Sequence, residues 1–90
     1  MKIQFGVFME NNRSVQLHRI YRHFKGKYYA TLALIVNAEN DEPMVLYKAL
    51  YGEGKLYVRT VNNFLTEVDK IKYPTAKQFY RFEVVEDFEK

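Results

Sequence analysis

The longest apolar stretch of this chain is built around Tyr28-Tyr29-Ala30-Thr31-Leu32-Ala33-Leu34-Ile35-Val36, and it is the clearest indication of the fold. Its aromatic and β-branched residues favour an extended strand, and its length is that of a strand rather than of a typical helix. Because the stretch has almost no polar face, we expect a central strand that is covered on both sides. The polar residues Asn37–Glu42 and then Pro43 end this strand and form a loop.

Four shorter segments are also predicted to be strands, because they alternate or are rich in residues that favour sheets. They are Ile20–Phe24, Met44–Tyr51, Leu56–Arg59 and Phe79–Val85. Glycine-containing turns separate neighbouring strands, at Lys25-Gly26-Lys27 and at Gly52-Glu53-Gly54. Glycine suits these turns because it adopts positive φ angles without steric cost.

A short helix is predicted between the last two strands, over Thr60–Val68. Thr60 can cap the first turn, and Phe64, Leu65 and Val68 form an apolar stripe at helical spacing. Short strands, tight turns and one short helix predict a mostly β fold. The expected architecture is a small, strongly bent antiparallel sheet or a partly open barrel of the Src-homology-3-like shape.

The predicted β-barrel-like domain spans residues 20–86. Residues 1–19 are an N-terminal extension, in which Ile3, Phe5, Val7 and Met9 would share one face of a strand. We expect this extension to add an edge strand or to form a dimer contact. Residues 87–90 form an acidic tail.

The composition excludes several classes of protein. The chain has no cysteine, so disulfides, thiolate metal sites and thiol nucleophiles are excluded. Its eight tyrosines and seven phenylalanines provide the large buried area that a 90-residue domain needs. Because no apolar run is long enough to cross a membrane and no signal peptide is evident, we expect no membrane partner and a cytoplasmic location, which is the host cytoplasm if a phage encodes the chain.

Basic and acidic residues are segregated along the chain. Residues 11–38 contain no Asp or Glu, whereas acidic residues concentrate at 39–42 and at the C-terminus. The net charge of +3 is too small to imply a nucleic-acid partner by itself. The segregation predicts a positive side of the folded surface, unless strand pairing mixes the segments.

Three segments occur in a characteristic order along the chain: Tyr21-Arg22-His23-Phe24-Lys25-Gly26, Val45-Leu46-Tyr47-Lys48-Ala49-Leu50-Tyr51-Gly52 and Leu56-Tyr57-Val58-Arg59. Together they resemble a small bacterial and phage family known as domain of unknown function 1653. The resemblance covers residues 20–82, and it implies a compact β fold with no settled activity. The chain departs from the family pattern in the loop 37–40, where the family often has a stretch like His-Ser-Glu-Thr, and at Tyr57 and Thr60, where it often has Trp and Pro.

Catalytic signatures are weak in this sequence. Ser14, His18 and His23 are the serine and the two histidines, and nothing in their spacing places them together. The two histidines are five residues apart, which puts them on opposite faces of a strand, so no metal site is expected. No cofactor is predicted, and the sequence favours binding over catalysis.

Cationic and aromatic residues interleave in and around the predicted strands. The candidate ligand-binding residues are Tyr21, Arg22, His23, Lys25, Tyr47, Lys48, Arg59 and Arg81. Cations among apolar neighbours are costly to bury unless an anion meets them, and an arginine fork suits phosphate or carboxylate. The alternative is structural, in which Arg59 and Arg81 pair with Glu67, Asp69 or Glu83.

These residues predict a non-catalytic module that binds a small anionic, nucleotide-like ligand. The resemblance to phage proteins suggests sequestration of a signalling nucleotide of the host. Because a small domain has little room for an enclosed pocket, the site could form between copies in a homodimer or higher homo-oligomer. The alternatives are a nucleic-acid-binding accessory domain and a protein-interaction adaptor.

Overall fold

The computed structural model describes residues 9–10 and 13–86. Its elements are β1 (Met9–Glu10), β2 (Arg13–Ser14), β3 (Ile20–His23), β4 (Tyr28–Val36), β5 (Pro43–Ala49), β6 (Leu56–Thr60), α1 (Val61–Leu65) and β7 (Phe82–Val84). One antiparallel sheet has the strand order β6-β5-β4-β3-β7, and β1 pairs with β2 separately. Within the described residues, the prediction of a mostly β fold with an antiparallel sheet and one short helix is confirmed, and the main sheet has five strands and is not closed.

The long apolar strand β4 lies at the centre of the sheet, as its sequence predicts. The expectation that both of its faces are covered was wrong. Thr31 is its buried residue, while Ile35 and Val36 at its far end are 36% and 58% exposed. The register against β5 shifts between Thr31 and Ala33, and such a bulge bends a strand.

The core lies on one face of this sheet. Val45, Tyr47 and Ala49 of β5 alternate inward, and all three are buried. Phe64 of α1 packs in a stacked arrangement on Phe82 of β7, with ring centroids 4.2 Å apart. Because burial of each such side chain contributes about 1.5–3 kcal/mol, this aromatic cluster holds α1 against the sheet.

The helix α1 is shorter than predicted. Thr60 caps it by accepting a hydrogen bond from the backbone N–H of Asn63 at 3.0 Å. After Leu65 the hydroxyl of Thr66 donates to the carbonyl of Asn63, and the chain turns away. The backbone N–H of Arg81 then donates to the carbonyl of Thr66 at 2.8 Å, and this pairing also shortens the last strand from the predicted 79–85 to Phe82–Val84.

The opposite face of the sheet carries exposed apolar side chains. Leu56 and Val58 of β6 are 58% and 49% exposed. They pair across the sheet with Lys48 and Leu46 of β5, which point away from the core together with them. Side chains of β5 therefore alternate between the two faces of the sheet, and the buried face is the one that carries Tyr47.

Most of the predicted N-terminal strand, with Ile3, Phe5 and Val7, lies outside the described residues, as does the acidic tail at 87–90. Within the N-terminal extension, Arg13 donates hydrogen bonds to the carbonyls of Leu65 and Phe82, at 2.7 and 3.1 Å. These bonds attach β2 to the helix layer. No helix in the described part of the chain has the length and apolar character to cross a bilayer.

Candidate functional site

A cleft of about 360 Å³ opens on the core face of the sheet, beside the buried aromatic cluster. Four basic residues line it, and they are Lys25, Lys27, Arg59 and Arg81. We call this site the basic cleft. The four basic residues come from the β3–β4 turn, from β6 and from the segment just before β7.

No Asp or Glu lines the basic cleft. The ion pairs among the described residues are Arg19–Glu86 at 3.2 Å and Arg22–Glu83 at 3.9 Å, and both lie elsewhere. The pairing of Arg59 and Arg81 with Glu67, Asp69 or Glu83, which the sequence offered as the structural alternative, is thus not among the described ion pairs. Concentrated positive charge without a counter-charge is costly, and it favours an anionic ligand.

Arg59 is fixed by neutral partners. Its Nε donates to the hydroxyl of Tyr47 at 2.8 Å, and its Nη1 donates to the side-chain amide oxygen of Asn63. Burial raises the pKa of the Tyr47 hydroxyl and outweighs the opposing effect of Arg59, so the hydroxyl stays neutral at physiological pH. Arg59 is therefore oriented by partners that carry no charge.

Arg81 lies next to Arg59 and is held in a similar way. Its Nε donates to the hydroxyl of Thr66 at 3.3 Å. Burial, and then the nearby Arg59, lowers the pKa of the Arg81 guanidinium, although arginine still keeps its proton in proteins. Two guanidinium groups thus repel each other at the base of the basic cleft, where an anion would relieve the repulsion.

His23 is buried between these cations and the aromatic core. Its ring stacks on Phe24 with centroids 4.6 Å apart, and its Nδ1 accepts a hydrogen bond of 3.1 Å from the backbone N–H of Lys25. Burial, followed by the charges of Arg59, Arg81 and Lys25, lowers the pKa of His23 to about 4. At neutral pH the imidazole is therefore uncharged, and its proton lies on Nε2, which can act as a donor.

Tyrosine side chains form the walls of the basic cleft. The hydroxyls of Tyr29 and Tyr51 lie 2.9 Å apart in a hydrogen bond. The ammonium of Lys27 lies 4.6 Å from the ring centroid of Tyr51, and that of Lys25 lies 5.2 Å from the centroid of Tyr73. These walls offer planar apolar surface close to positive charge, which is the combination that nucleotide bases and phosphates use.

The structure brings five of the eight predicted site residues to the basic cleft, and they are His23, Lys25, Tyr47, Arg59 and Arg81. Sequence reasoning missed Lys27, Tyr29, Tyr51 and Tyr73. Tyr51 is an even number of residues after Tyr47, so both would lie on the same face of a strand. Lys27 flanks the same turn glycine as Lys25. The sequence therefore contained an indication that Tyr51 and Lys27 belong to the site. Tyr73 comes from an irregular loop, and nothing local in the sequence indicates its position.

Three predicted residues lie elsewhere. Tyr21 is 1% exposed and is part of the core, where its hydroxyl accepts a hydrogen bond of 3.0 Å from the backbone N–H of Gln16. Lys48 points to the outer face and donates to the carbonyl of Gly54 at 2.8 Å. Both side chains use their polar groups in the fold itself.

Arg22 lies on the outer face of β3, opposite His23, and lines a different cleft of about 490 Å³. Its Nε donates to the amide oxygen of Gln78 at 2.6 Å, and Glu83 is its ion-pair partner. The amide nitrogen of Gln78 in turn donates to the carbonyls of Arg22 and Tyr80. The arginine and the carboxylate of this second cleft compensate each other, so it lacks the unbalanced charge of the basic cleft.

Metal binding finds no support in the described part of the chain, where no three His, Asp or Glu side chains are grouped so that they could hold an ion. The side chains that line the basic cleft offer hydrogen-bond donors, which are cationic at the lysines and arginines and neutral at His23.

The sequence profile of a family described as protein of unknown function (DUF1653) matches residues 19–84. The chain belongs to this family. A crystal structure of a DUF1653 protein from Bordetella bronchiseptica is similar to it, with a TM-score of 0.64 and 30% sequence identity over 78% of this chain and 87% of that chain. No curated protein matches the chain. All residues of the basic cleft fall inside the segment that defines the DUF1653 family, and the resemblance inferred from the sequence is confirmed.

Proposed function

We propose that this DUF1653 domain is a non-catalytic binding module for a small anionic, nucleotide-like ligand, and that the ligand binds in the basic cleft. The observation that carries the proposal is the grouping of Lys25, Lys27, Arg59 and Arg81 around one opening that no Asp or Glu lines. Bound phosphate or carboxylate would supply the missing negative charge. Charge-assisted hydrogen bonds to arginine are among the stronger polar contacts in proteins.

The aromatic walls support a ligand with a planar ring. Tyr51 and Tyr73 flank the lysines, and a base can stack on such rings with a contribution of about 1–3 kcal/mol. The volume of about 360 Å³ lies in the range of small-molecule pockets. A nucleotide combines both features, since it joins a planar base to at least one phosphate.

The protonation state and hydrogen bonding of His23 support binding rather than acid–base catalysis. A general base works best when its pKa is close to the operating pH, whereas the pKa of His23 is lowered to about 4. Its Nδ1 already accepts the backbone N–H of Lys25. His23 is thereby suited to donate a fixed hydrogen bond from Nε2 to a ligand oxygen.

The cellular role that we propose is sequestration of a signalling nucleotide, with a phage-encoded protein acting on the nucleotide of its host. This role needs tight binding and no turnover. It agrees with a site that is rich in donors and contains a weakly basic histidine.

Thermal unfolding in the presence of a nucleotide panel tests the proposal. The panel contains nucleoside monophosphates, diphosphates, triphosphates, cyclic nucleotides and a short oligonucleotide. A ligand that binds the folded state alone, at a hundredfold excess over its Kd, adds about 2.7 kcal/mol, which raises the Tm of a small domain by several degrees. Absence of any shift across the panel would refute the proposal.

A comparison of two variants, each of which loses one positive charge, tests whether the ligand binds in the basic cleft. Arg81→Gln removes a cation from the basic cleft and should abolish the shift. Arg22→Gln removes a cation from the outer face and should leave the shift intact, although it lowers the Tm of the free protein. Equal effects of the two substitutions would place the ligand elsewhere.

Salt dependence separates this function from the nucleic-acid-binding alternative. Binding to a nucleic-acid backbone weakens steeply with salt, because each neutralised phosphate releases a counterion. A mononucleotide in a compact cleft should depend on salt much less. A shift seen solely with the oligonucleotide, and lost in high salt, would favour a nucleic-acid accessory domain.

A further inference from the structure

The positive charge of the basic cleft is arranged at two depths. Arg59 and Arg81 are half-buried beside His23, whereas Lys25 and Lys27 are exposed at the rim. The proposed function explains why an anion binds. It does not by itself explain why there are two pairs of cations rather than one.

The inner pair can hold one phosphoryl group. Arg59 uses Nε and Nη1, and Arg81 uses Nε, for hydrogen bonds to neutral side chains. The Nη2 group of Arg59 and both Nη groups of Arg81 have no hydrogen bond to the described residues. These donors, together with Nε2–H of His23, are suited to the three terminal oxygens of a phosphate.

The outer pair is positioned by a tight turn. The backbone N–H of His23 donates to the carbonyl of Lys27 and that of Gly26 donates to the carbonyl of His23, both at 2.8 Å. Gly26 has a φ of 107°, which other residues rarely adopt. The turn holds the two lysines at the rim, with one ammonium over Tyr73 and the other over Tyr51.

A comparison of the charge of the ligand with the charge of the cleft indicates how many phosphoryl groups the ligand carries. A single terminal phosphate carries about −1.5 to −2 charges at neutral pH, which matches the two arginines and leaves the lysines unmatched. We infer that the ligand of the basic cleft is a nucleotide with at least two phosphoryl groups, one on the arginine pair and another on the lysine pair. This inference rests on the proposed function and specifies its ligand.

Isothermal titration calorimetry at constant ionic strength tests the inference with one nucleoside as its monophosphate, diphosphate and triphosphate, and with inorganic pyrophosphate. The unmodified protein should bind the diphosphate or triphosphate at least about tenfold more tightly than the monophosphate, a difference of roughly 1.4 kcal/mol. The double variant Lys25→Gln/Lys27→Gln should lose this preference, because it removes the two cations that would bind the second phosphoryl group. Both lysines are exposed, so the variant should fold.

A matched control comes from Lys55 and Lys77, which are exposed and do not line the basic cleft. Lys55→Gln/Lys77→Gln changes the net charge by the same amount and should retain the preference. Equal binding of monophosphate and triphosphate by the unmodified protein would overturn the inference and leave the proposed function standing. Equal weakening by the two double variants would also overturn it, since the preference would then reflect net charge alone. No binding of any of these ligands, pyrophosphate included, would overturn the inference, whereas the proposed function falls when the wider nucleotide panel also gives no shift in Tm.

Discussion

The Nε of Arg59 donates a hydrogen bond of 2.8 Å to the hydroxyl of Tyr47, and this bond joins the basic cleft to the core. Tyr47 is 4% exposed, and its ring packs against Phe64 and Phe82 in edge-to-face contacts. A buried core residue thereby sets the direction of a cation that lines the basic cleft. Such preorganisation lowers the entropy that binding must overcome.

Replacement of Tyr47 by Phe should destabilise the protein and weaken ligand binding. Phe retains the packing and removes the acceptor, so Arg59 loses a partly buried partner. The free energy of unfolding should fall by about 1.5 kcal/mol, as for hydrogen bonds to charged groups. Urea unfolding measures this loss.

The control for this substitution is Tyr80→Phe. The ring of Tyr80 lies 3.7 Å from the guanidinium carbon of Arg13, and Phe preserves that ring. The stability of this variant should stay within about 0.5 kcal/mol of the parent. Similar stabilities of the Tyr47→Phe and Tyr80→Phe variants would show that the hydrogen bond between Arg59 and Tyr47 does not contribute to the stability of the protein.

The buried position of His23 predicts a loss of stability in mild acid. Its pKa in the folded protein is about 4, below its ordinary value of 6.5. As the pH falls below 6.5, the unfolded chain takes up a proton that the folded protein does not. Stability due to His23 is therefore complete above pH 6.5 and is lost progressively down to about pH 4, with a slope of at most about 1.4 kcal/mol per pH unit.

Urea unfolding at about pH 5 and pH 7 measures this effect when the parent is compared with His23→Gln. The carboxylates that titrate in the same range are common to both proteins, so their contribution cancels in the comparison. From pH 7 to pH 5, the free energy of unfolding of the parent should fall by about 1–2 kcal/mol more than that of the variant. An equal loss in both proteins would contradict the burial of an uncharged His23.

Phe64 is the residue whose truncation should cost the most stability. It is completely buried, stacks on Phe82 at 4.2 Å and contacts Tyr21 edge-on with centroids 5.0 Å apart. Phe64→Ala should lower the free energy of unfolding by about 3–5 kcal/mol, because it removes a large side chain and leaves a cavity. The urea midpoint, or outright unfolding seen in the near-ultraviolet circular dichroism, provides the measurement.

The control for Phe64→Ala is Phe79→Ala, which truncates a phenylalanine at the surface. Phe79 is 52% exposed, so its removal should cost less than about 1 kcal/mol. Comparable losses from Phe64→Ala and Phe79→Ala would mean that α1 does not pack on the sheet as described.

The β5–β6 hairpin should depend on Gly54 more than on Gly52. Both have positive φ angles, +70° and +57°, which cost a residue with a side chain roughly 1–2 kcal/mol. A methyl group at Gly54 would in addition collide with the ammonium of Lys48, which donates to the carbonyl of Gly54, whereas the space at Gly52 is open. Gly54→Ala should therefore destabilise the protein more than Gly52→Ala, as measured by thermal unfolding.

A double variant isolates the contribution of Lys48. In a Lys48→Met background the collision with the ammonium is removed, so the costs of Gly54→Ala and Gly52→Ala should become similar. A persistent difference in that background would assign the extra cost to the backbone instead of to Lys48.

Local patterns in the sequence determined the strands, the turns and the start of the helix. The alternation placed Val45, Tyr47 and Ala49 on one face of β5, because successive side chains of a strand point to opposite sides whatever the rest of the fold does. Both faces of this segment are largely apolar in sequence, so only the packing showed that this face is the buried one. Thr60 marked the start of α1 in the same local way, through a hydrogen bond to a residue three positions along the chain. The membership of the DUF1653 family was likewise indicated by segments of contiguous residues.

The tertiary structure alone decided which polar residues meet. Arg22 and His23 are neighbours in sequence and lie on opposite faces of β3, and only the packing of α1 shows that the face with His23 contains the core and the basic cleft. The end of α1 was set by pairing between Thr66 and Arg81, a contact between distant parts of the chain. Lys27, Arg59 and Arg81 come together because three separate elements converge at one edge of the core. Such convergence depends on the long-range register of the sheet and on loop paths, about which the local alternation of side chains carries no information.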